Sequence, residues 1–296
     1  LKRLYYMNID KTEVENILNS LPYMDKKVRK FMFNALSNNL SFISGTMPPA
    51  ESTIDENNYK LEDLDKAFSY FKNKNVSALV AQPKYMGSRC QVVFKKVNDK
   101  LEVKAFSRNG YKIKLVDKDL NDNLIKKACL DWLEKYKIIF KEELIIDCEL
   151  LPWNVLGKDL IDENYKSYYS LINNEHVKVK NSNLNKYEYV KSLYPVEQLS
   201  NNLDVFIKQV NIYGKETEPY LKAFNILKLA GEVEPFNNYE SFKLVNDDDI
   251  LLLPINTFED DKHLSDLHKY FDSLVSNLHE GVVIKPFIKN DTDLPY

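Results

Sequence analysis

Residues 76–94 constrain this chain more than any other stretch. Val76-Ser77-Ala78-Leu79-Val80-Ala81 is an apolar run of strand length, and Cys90-Gln91-Val92-Val93-Phe94 is a second. Between them lies Gln82-Pro83-Lys84-Tyr85-Met86-Gly87-Ser88-Arg89, with one glycine to let the backbone through. The pattern predicts two buried strands, with Lys84 held where one gives way to the next. A lysine on so rigid a support is a candidate nucleophile. Lysine is ordinarily a protonated, inert cation, but desolvation and a neighbouring cation such as Arg89 favour the neutral amine, which can attack phosphorus or a carbonyl carbon. On this stretch alone, a solvated hairpin lysine explains the residues equally well.

Three further clusters follow. Ser107-Arg108-Asn109-Gly110 ends a hairpin pattern in which segments 91–96 and 101–106 alternate apolar with polar residues around Asn98-Asp99. Leu144-Ile145-Ile146 then enters Asp147-Cys148-Glu149-Leu150, where strand alternation puts both carboxylates on one face and the thiol on the other. Two such carboxylates are costly without a cation or donors to compensate, so they point to a metal or ribose site; an exposed edge strand is the bland alternative. Last comes Glu280-Gly281-Val282-Val283-Ile284-Lys285-Pro286. Strict alternation would send Glu280 and Lys285 to opposite faces unless a bulge or twist near Gly281 re-aims one of them.

The pattern Lys84-x-x-Gly87-x-Arg89 resembles the nucleophile motif of the covalent nucleotidyltransferases, the superfamily of DNA ligases, RNA ligases and messenger RNA capping enzymes. The three later clusters resemble that superfamily's next motifs, in its order. Residues 84–89, together with Glu149-Leu150-Leu151-Pro152-Trp153-Asn154, are most similar to the ligase domain of the bacterial polynucleotide kinase-phosphatase-ligase that repairs broken RNA. The resemblance implies an α+β covalent nucleotidyltransferase fold: antiparallel sheets enclosing a nucleotide cleft, with flanking helices and an N-terminal helical module. It implies ATP as substrate, a lysyl-AMP adduct on Lys84, and Mg²⁺ or Mn²⁺ near Glu149 and Glu280. Gln82, Arg89, Arg108, Glu149, Phe224 and Lys285 become the expected nucleotide-binding set. Phe224 lies in Tyr220-Leu221-Lys222-Ala223-Phe224-Asn225-Ile226-Leu227, where the family offers a ring to adenine, although a core phenylalanine fits nearly as well. Gln82 stands where many DNA ligases carry an acidic residue that reads the adenine amino group. Glutamine can accept the same hydrogen bond, and guanine stays open.

By the same resemblance, the substrate is RNA with 5′-phosphate and 3′-hydroxyl ends, sealed during RNA repair. Attached kinase and phosphatase domains and an RNA 3′-end methyltransferase partner come with it. The alternatives are a DNA ligase, a guanylyltransferase, or a degenerate nucleotide-dependent RNA-binding domain. The last is kept open by one departure: the superfamily's downstream Lys-x-Lys motif has no match, since only ten residues follow Pro286 and Lys289 alone does not reproduce it. The sequence therefore reads as cut before that motif.

With 296 residues and 44% hydrophobic content, the chain can bury a sizeable core. A net charge of −3 argues against wholesale coating of nucleic acid, yet leaves room for one basic groove. Cys90, Cys129 and Cys148 are odd in number and lack metal-site spacing, so reduced thiols are expected and zinc is not. No run has the length of a membrane span and no apolar signal core is present, which makes the expected location cytoplasmic. Residues 1–58 read as a helical module and linker, with helices near 10–21 and 25–40 and a loop over 43–58. The second helix is expected to bury Val28, Phe31, Met32, Phe33, Leu36 and Leu40. Residues 59–296 form the nucleotidyltransferase domain, with helices over 61–72, 120–140 and 264–274. A helical insertion is expected near 155–213, with its tyrosines in the core rather than stacked on bases. Trp132 reads as core, and His263 and His268 as ordinary.

Overall fold

The computed structural model describes residues 10–21, 23–38, 40, 52–54, 60–74, 76–107, 109–113, 118–155, 160–214, 218–229, 245 and 250–287. Arg108, Lys289 and the segment Thr46–Pro49 lie outside them. The architecture is α+β, with its strands in antiparallel sheets. Strand β3 (Ala78–Lys84) lies between β8 (Leu251–Pro254) and β9 (Gly281–Phe287). A four-stranded sheet runs β5 (Lys100–Ser107), β4 (Ser88–Val97), β6 (Glu143–Leu151), β7 (Tyr220–Leu229). The β4–β5 hairpin pairs Val97 with Lys100 across Asn98 and Asp99, whose φ angles of 48° and 61° are the left-handed conformations that Asn and Asp tolerate.

Each sheet buries one face under helices. Cys90, Val92 and Phe94 of β4, with Leu144, Ile146 and Cys148 of β6, pack on Ile125, Cys129 and Trp132 of α4 (Lys118–Tyr136). Trp132 is 3% exposed, as the helical spacing implied, and all three thiols are free and buried. Leu79 and Ala81 of β3 pack instead with Phe68 of α3 (Leu64–Lys72) and Leu267 of α8 (Asp260–Ser276). That leaves the opposite faces of the two sheets free to meet.

Glu143 and Lys228 form a 2.6 Å ion pair between β6 and β7, with their side chains 6% and 7% exposed. Glu143→Ala removes the carboxylate from a buried ammonium, and the expected loss in stability is about 3 kcal/mol. Chemical denaturation reads this directly; an unchanged midpoint would refute it.

Between β6 and β7 the chain is helical: a π-helical turn (Ile161–Lys166), α5 (Ser167–Asn181), α6 (Glu188–Leu193) and α7 (Val196–Tyr213). Tyr165, Tyr168 and Tyr169 surround Phe206 with ring centres 6.4, 6.4 and 6.5 Å away, although Tyr168 keeps 57% of its surface exposed. His268 contacts Asp65 across α8 and α3, and His263 lies near Glu259. No helix among the described residues is long and apolar enough to cross a membrane.

Three expectations need correction. Within 43–58, residues Ser52–Ile54 are a strand (β1), paired with Lys60–Glu62 (β2) rather than looping. The following helix accordingly starts at Leu64, where the Asp63 carboxylate accepts from Lys66 N and caps it. At the N-terminus, α1 (Lys11–Asn19) and α2 (Lys26–Ser37) begin at the Asp10 and Asp25 caps; Phe31, Met32, Phe33 and Leu40 of the expected apolar face are half-buried, but two of its members are not. Val28 and Leu36 are 49% and 38% exposed, and the buried residue of α2 is Asn34.

Candidate active site

Strand registers decide which side chains meet. β3 pairs with β9 so that Val80 faces Lys285, Gln82 faces Val283 and Lys84 faces Gly281. Directly paired residues share a face. Lys84, Gln82 and Lys285 therefore project together, away from the core that takes Leu79, Ala81, Val282 and Ile284. In the other sheet, Arg89, Glu149 and Lys222 form one row across β4, β6 and β7, with Gln91, Asp147 and Asn225 in the next row but one. Cys90 and Cys148 take the opposite face, as alternation required.

The two polar faces touch. Gln82 Nε2 donates to the carbonyl of Phe224 at 3.0 Å, reaching from one sheet to the other. That carbonyl is available because the β6–β7 ladder slips between Asp147 and Cys148, so that Phe224 is an extra residue between Asn225 and Ala223. The bulge also restores phase, letting Ala223 and Ile226 both reach the core. Lys285 lies with its ammonium 4.9 Å from the Phe224 ring centre, and Tyr85 stands 6.1 Å from the same ring. Phe224 thus belongs to the cleft and not to the core.

Lys84 Nζ contacts Glu280 Oε1 at the cleft mouth. Glu280 precedes β9 and so escapes its alternation; Gly281, at φ 154°, is where the chain turns into the strand. Glu280 and Lys285 can then both serve one cleft. Arg89 makes a two-pronged contact with Asp147, Nε to Oδ1 and Nη2 to Oδ2, both at 2.9 Å. The clamp orients the guanidinium.

Glu149 is 8% exposed, and its carboxyl is pushed up to about 7. Burial is the main cause, opposed by the Gly87 backbone N–H and by Arg89, and reinforced by Asp147 and Glu280. Burial likewise brings the Lys285 ammonium down to about 8, with Asp147 opposing and Arg89 assisting. Glu149 is thus a buried carboxyl beside two others, of which Asp147 is paired with Arg89 and Glu280 with Lys84. Among the described residues no three carboxylates, thiols or imidazoles close a metal cage. Glu149 and Glu280 would suit a hard divalent cation such as Mg²⁺ or Mn²⁺, which needs only one or two carboxylates from the protein.

Gly87 earns its place by proximity. A Cβ there would sit 2.5 Å from the Leu150 carbonyl oxygen and 2.8 Å from Glu149 Cγ. Gly87→Ala must therefore displace the strand that carries Glu149. The expected result is at least a tenfold loss of activity with a fall in melting temperature, since overpacking of this kind costs roughly 1–3 kcal/mol. Activity and melting curves at wild-type values would show the contact to be harmless.

A family model described as the PNKP adenylyltransferase domain, ligase domain, matches residues 29–293. The chain belongs to that family. Two solved structures share the fold at TM-score 0.69: a chain in the Pnkp1/Rnl/Hen1 complex at 24% identity, and one in the Pnkp1/Rnl/Hen1 RNA repair complex at 25%. Each alignment covers 97% of this chain and 78% of the other. No curated protein matches the sequence. Membership makes this an adenylyltransferase ligase domain, a class that uses ATP.

Of the residues named from sequence, Lys84, Gln82, Arg89, Glu149, Phe224, Glu280 and Lys285 converge on this cleft. Sequence reasoning missed Tyr85, which contacts both Phe224 and His279, and Lys222, whose ammonium is 5.7 Å from the Tyr85 ring centre. It also saw Asp147 as a carboxylate but not as the clamp for Arg89. Tyr85 follows the nucleophile directly, which was signal enough. Lys222 is recognisable only from its register opposite Glu149.

Proposed function

We propose that the protein is an ATP-dependent RNA ligase that forms lysyl-AMP on Lys84 and passes AMP to an RNA 5′-phosphate for sealing by a 3′-hydroxyl. One observation carries the adenylate part: Gln82 is fully buried, its Nε2 is committed to the Phe224 carbonyl, and its Oε1 has no hydrogen-bond partner. Because a carbonyl can only accept, the amide cannot be flipped, and a buried acceptor is left that no donor among the described residues satisfies. The exocyclic amino group of adenine is such a donor. The 6-oxo group of guanine is not.

In the first step the Lys84 amine attacks the α-phosphorus. The Nζ–P bond forms, the bond to pyrophosphate breaks, and the Nζ proton has Glu280 Oε1 as its contacting acceptor. Arg89, held by Asp147, and Lys285 supply positive charge to phosphate oxygens, while the Phe224 ring gives the base an apolar wall. When bound, a divalent cation at Glu149 and Glu280 supplies neutralisation of the phosphate charge. In the second step an RNA 5′-phosphate oxygen displaces Lys84, which recovers its proton. In the third a 3′-hydroxyl displaces AMP. Arg108 is assigned to the nucleotide by resemblance.

Incubation with α-labelled ATP or GTP and Mn²⁺, followed by denaturing electrophoresis, tests the nucleotide; sealing of nicked RNA against nicked DNA tests the polymer. Label from ATP only and preference for RNA are expected. Gln82→Leu should raise KM for ATP roughly tenfold, the value of one buried hydrogen bond. Equal labelling by both nucleotides would remove Gln82 from the reading.

A further inference from the structure

Beside Lys84 lies a cavity of about 130 Å³ that the nucleotide residues described above do not line. Four parts of the chain wall it: Lys84 and Tyr85 at the end of β3, Ile212 and Tyr213 at the end of α7, Tyr220 at the start of β7, and His279 between α8 and β9. Tyr85 stands 6.1 Å from the Phe224 ring centre and 6.2 Å, edge to face, from His279, so its ring divides this cavity from the place given to adenine. The walls are tied together. The Tyr213 hydroxyl donates to the Leu278 carbonyl at 3.0 Å, joining α7 to the chain that enters β9. Leu278 holds φ 65°, a left-handed conformation that a bulky residue adopts only where its surroundings impose it, and such backbone collects at ligand sites. Ile212 and Tyr220 are 48% and 46% exposed, which leaves apolar and aromatic surface facing water beside the nucleophile.

We infer that this cavity holds the base of the RNA nucleotide that carries the attacking 3′-hydroxyl. The inference rests on the ligase reading above. In the sealing step the 3′-oxygen bonds to the 5′-phosphorus, its proton passes to water, and AMP leaves with the electron pair of the broken P–O bond. Attacking and leaving oxygens stand in line on opposite sides of that phosphorus. AMP takes the side of Gln82 and Phe224, and Lys84 marks where the phosphorus was bound, so the incoming nucleotide has to arrive across Tyr85, where the cavity lies. The size suits one aromatic ring, since an engineered apolar cavity of about 150 Å³ takes benzene. Tyrosine rings are what an unpaired base at a strand end stacks on. Pyrophosphate would instead need cations, and Lys84, the one lysine or arginine among the described wall residues, already contacts Glu280.

Ile212→Trp fills the cavity from an exposed helix end, and Tyr220→Ala removes a ring from its wall. The reaction to measure is the joining of a 5′-adenylated RNA to a single-stranded RNA acceptor, which isolates the sealing step. Each variant should raise KM for the acceptor roughly tenfold, the worth of one base stacked on an aromatic ring. Lysyl-AMP formation from ATP should stay within twofold of wild type, which also shows the fold to be intact. An acceptor lacking its 3′-terminal base should cost wild type a similar factor, and should cost Ile212→Trp less than twofold further, because both changes remove the same interaction. A parallel loss of lysyl-AMP formation would give the cavity to ATP, and a penalty that follows a missing base on the adenylated strand would give it to the other RNA end; either would overturn the inference. A wild-type chain that neither labels nor seals would sink the ligase reading itself, whereas normal acceptor KM in both variants of a chain that seals sinks this inference alone.

Discussion

Lys84→Ala should take no detectable label from ATP, a loss on the order of 10³-fold or more, because it removes the atom that forms the bond to phosphorus. The fold should survive. Lys84 ends β3, its side chain is 42% exposed, and the strand is held by backbone pairing to β8 and β9 that alanine retains. Glu280 loses its contact but is 32% exposed and keeps access to water. Lys84→Arg should fail equally, since a guanidinium stays protonated and offers no lone pair. Sealing of RNA that already carries a 5′-adenylate bypasses the lost bond and should persist in both variants. Label on Lys84→Ala at the wild-type level would end the assignment of the nucleophile.

Glu149 links activity to pH and to metal in a direction that can be checked. Its folded pKa of about 7 lies above the ordinary carboxylate value of 4.5. In the metal-free protein this group therefore contributes stability that is fully present below about 4.5 and is lost as pH rises through about 7. The loss is about 3 kcal/mol, from roughly 1.4 kcal/mol per pKa unit. Glu149→Gln removes that slope, so at pH 8 with chelator the variant should melt higher than wild type, even though its activity falls by a factor of 100 or more. Mn²⁺ alone should release a proton from wild type at pH 6 and not from Glu149→Gln, because a carboxylic acid must ionise to bind. Glu280→Gln should raise the Mn²⁺ concentration needed for half-maximal labelling by roughly tenfold to a hundredfold. Wild-type metal titrations in both variants would make these carboxylates structural.

The raised stability and lost activity expected of Glu149→Gln have one cause. Asp147, Glu149 and Glu280 bring three carboxyl groups near one another; Asp147 is paired with Arg89 and Glu280 with Lys84, and Glu149 is the one that burial pushes toward its neutral form. Such crowding is tolerated where a ligand will later relieve it.

Strand alternation was enough to place Asp147 and Glu149 together with Cys148 behind them, because a period of two leaves no third choice. The apolar runs around Lys84 likewise gave β3 and β4, the Asn98-Asp99 pair gave the hairpin, and Trp132 fell in the core that its helical spacing foresaw. These are short-range consequences of backbone geometry and hydrophobic pattern, so neighbours in sequence decide them. Other features have partners more than 60 residues away. The bulge that frees the Phe224 carbonyl for Gln82, the hydrogen bond from Asn34 to the Asn109 carbonyl, and the Lys285 ammonium on the Phe224 ring depend on how two sheets and a distant helix meet. In α2 the sequence placed the helix but not the exposure of Val28 and Leu36 or the burial of Asn34, because helical periodicity reports where apolar residues fall and not which face finds something to bind. The residue types that can carry the chemistry were thus set by the sequence, and their mutual distances and charge states by tertiary contact, since burial and Coulomb energies depend on the approach of groups that the chain order does not bring together.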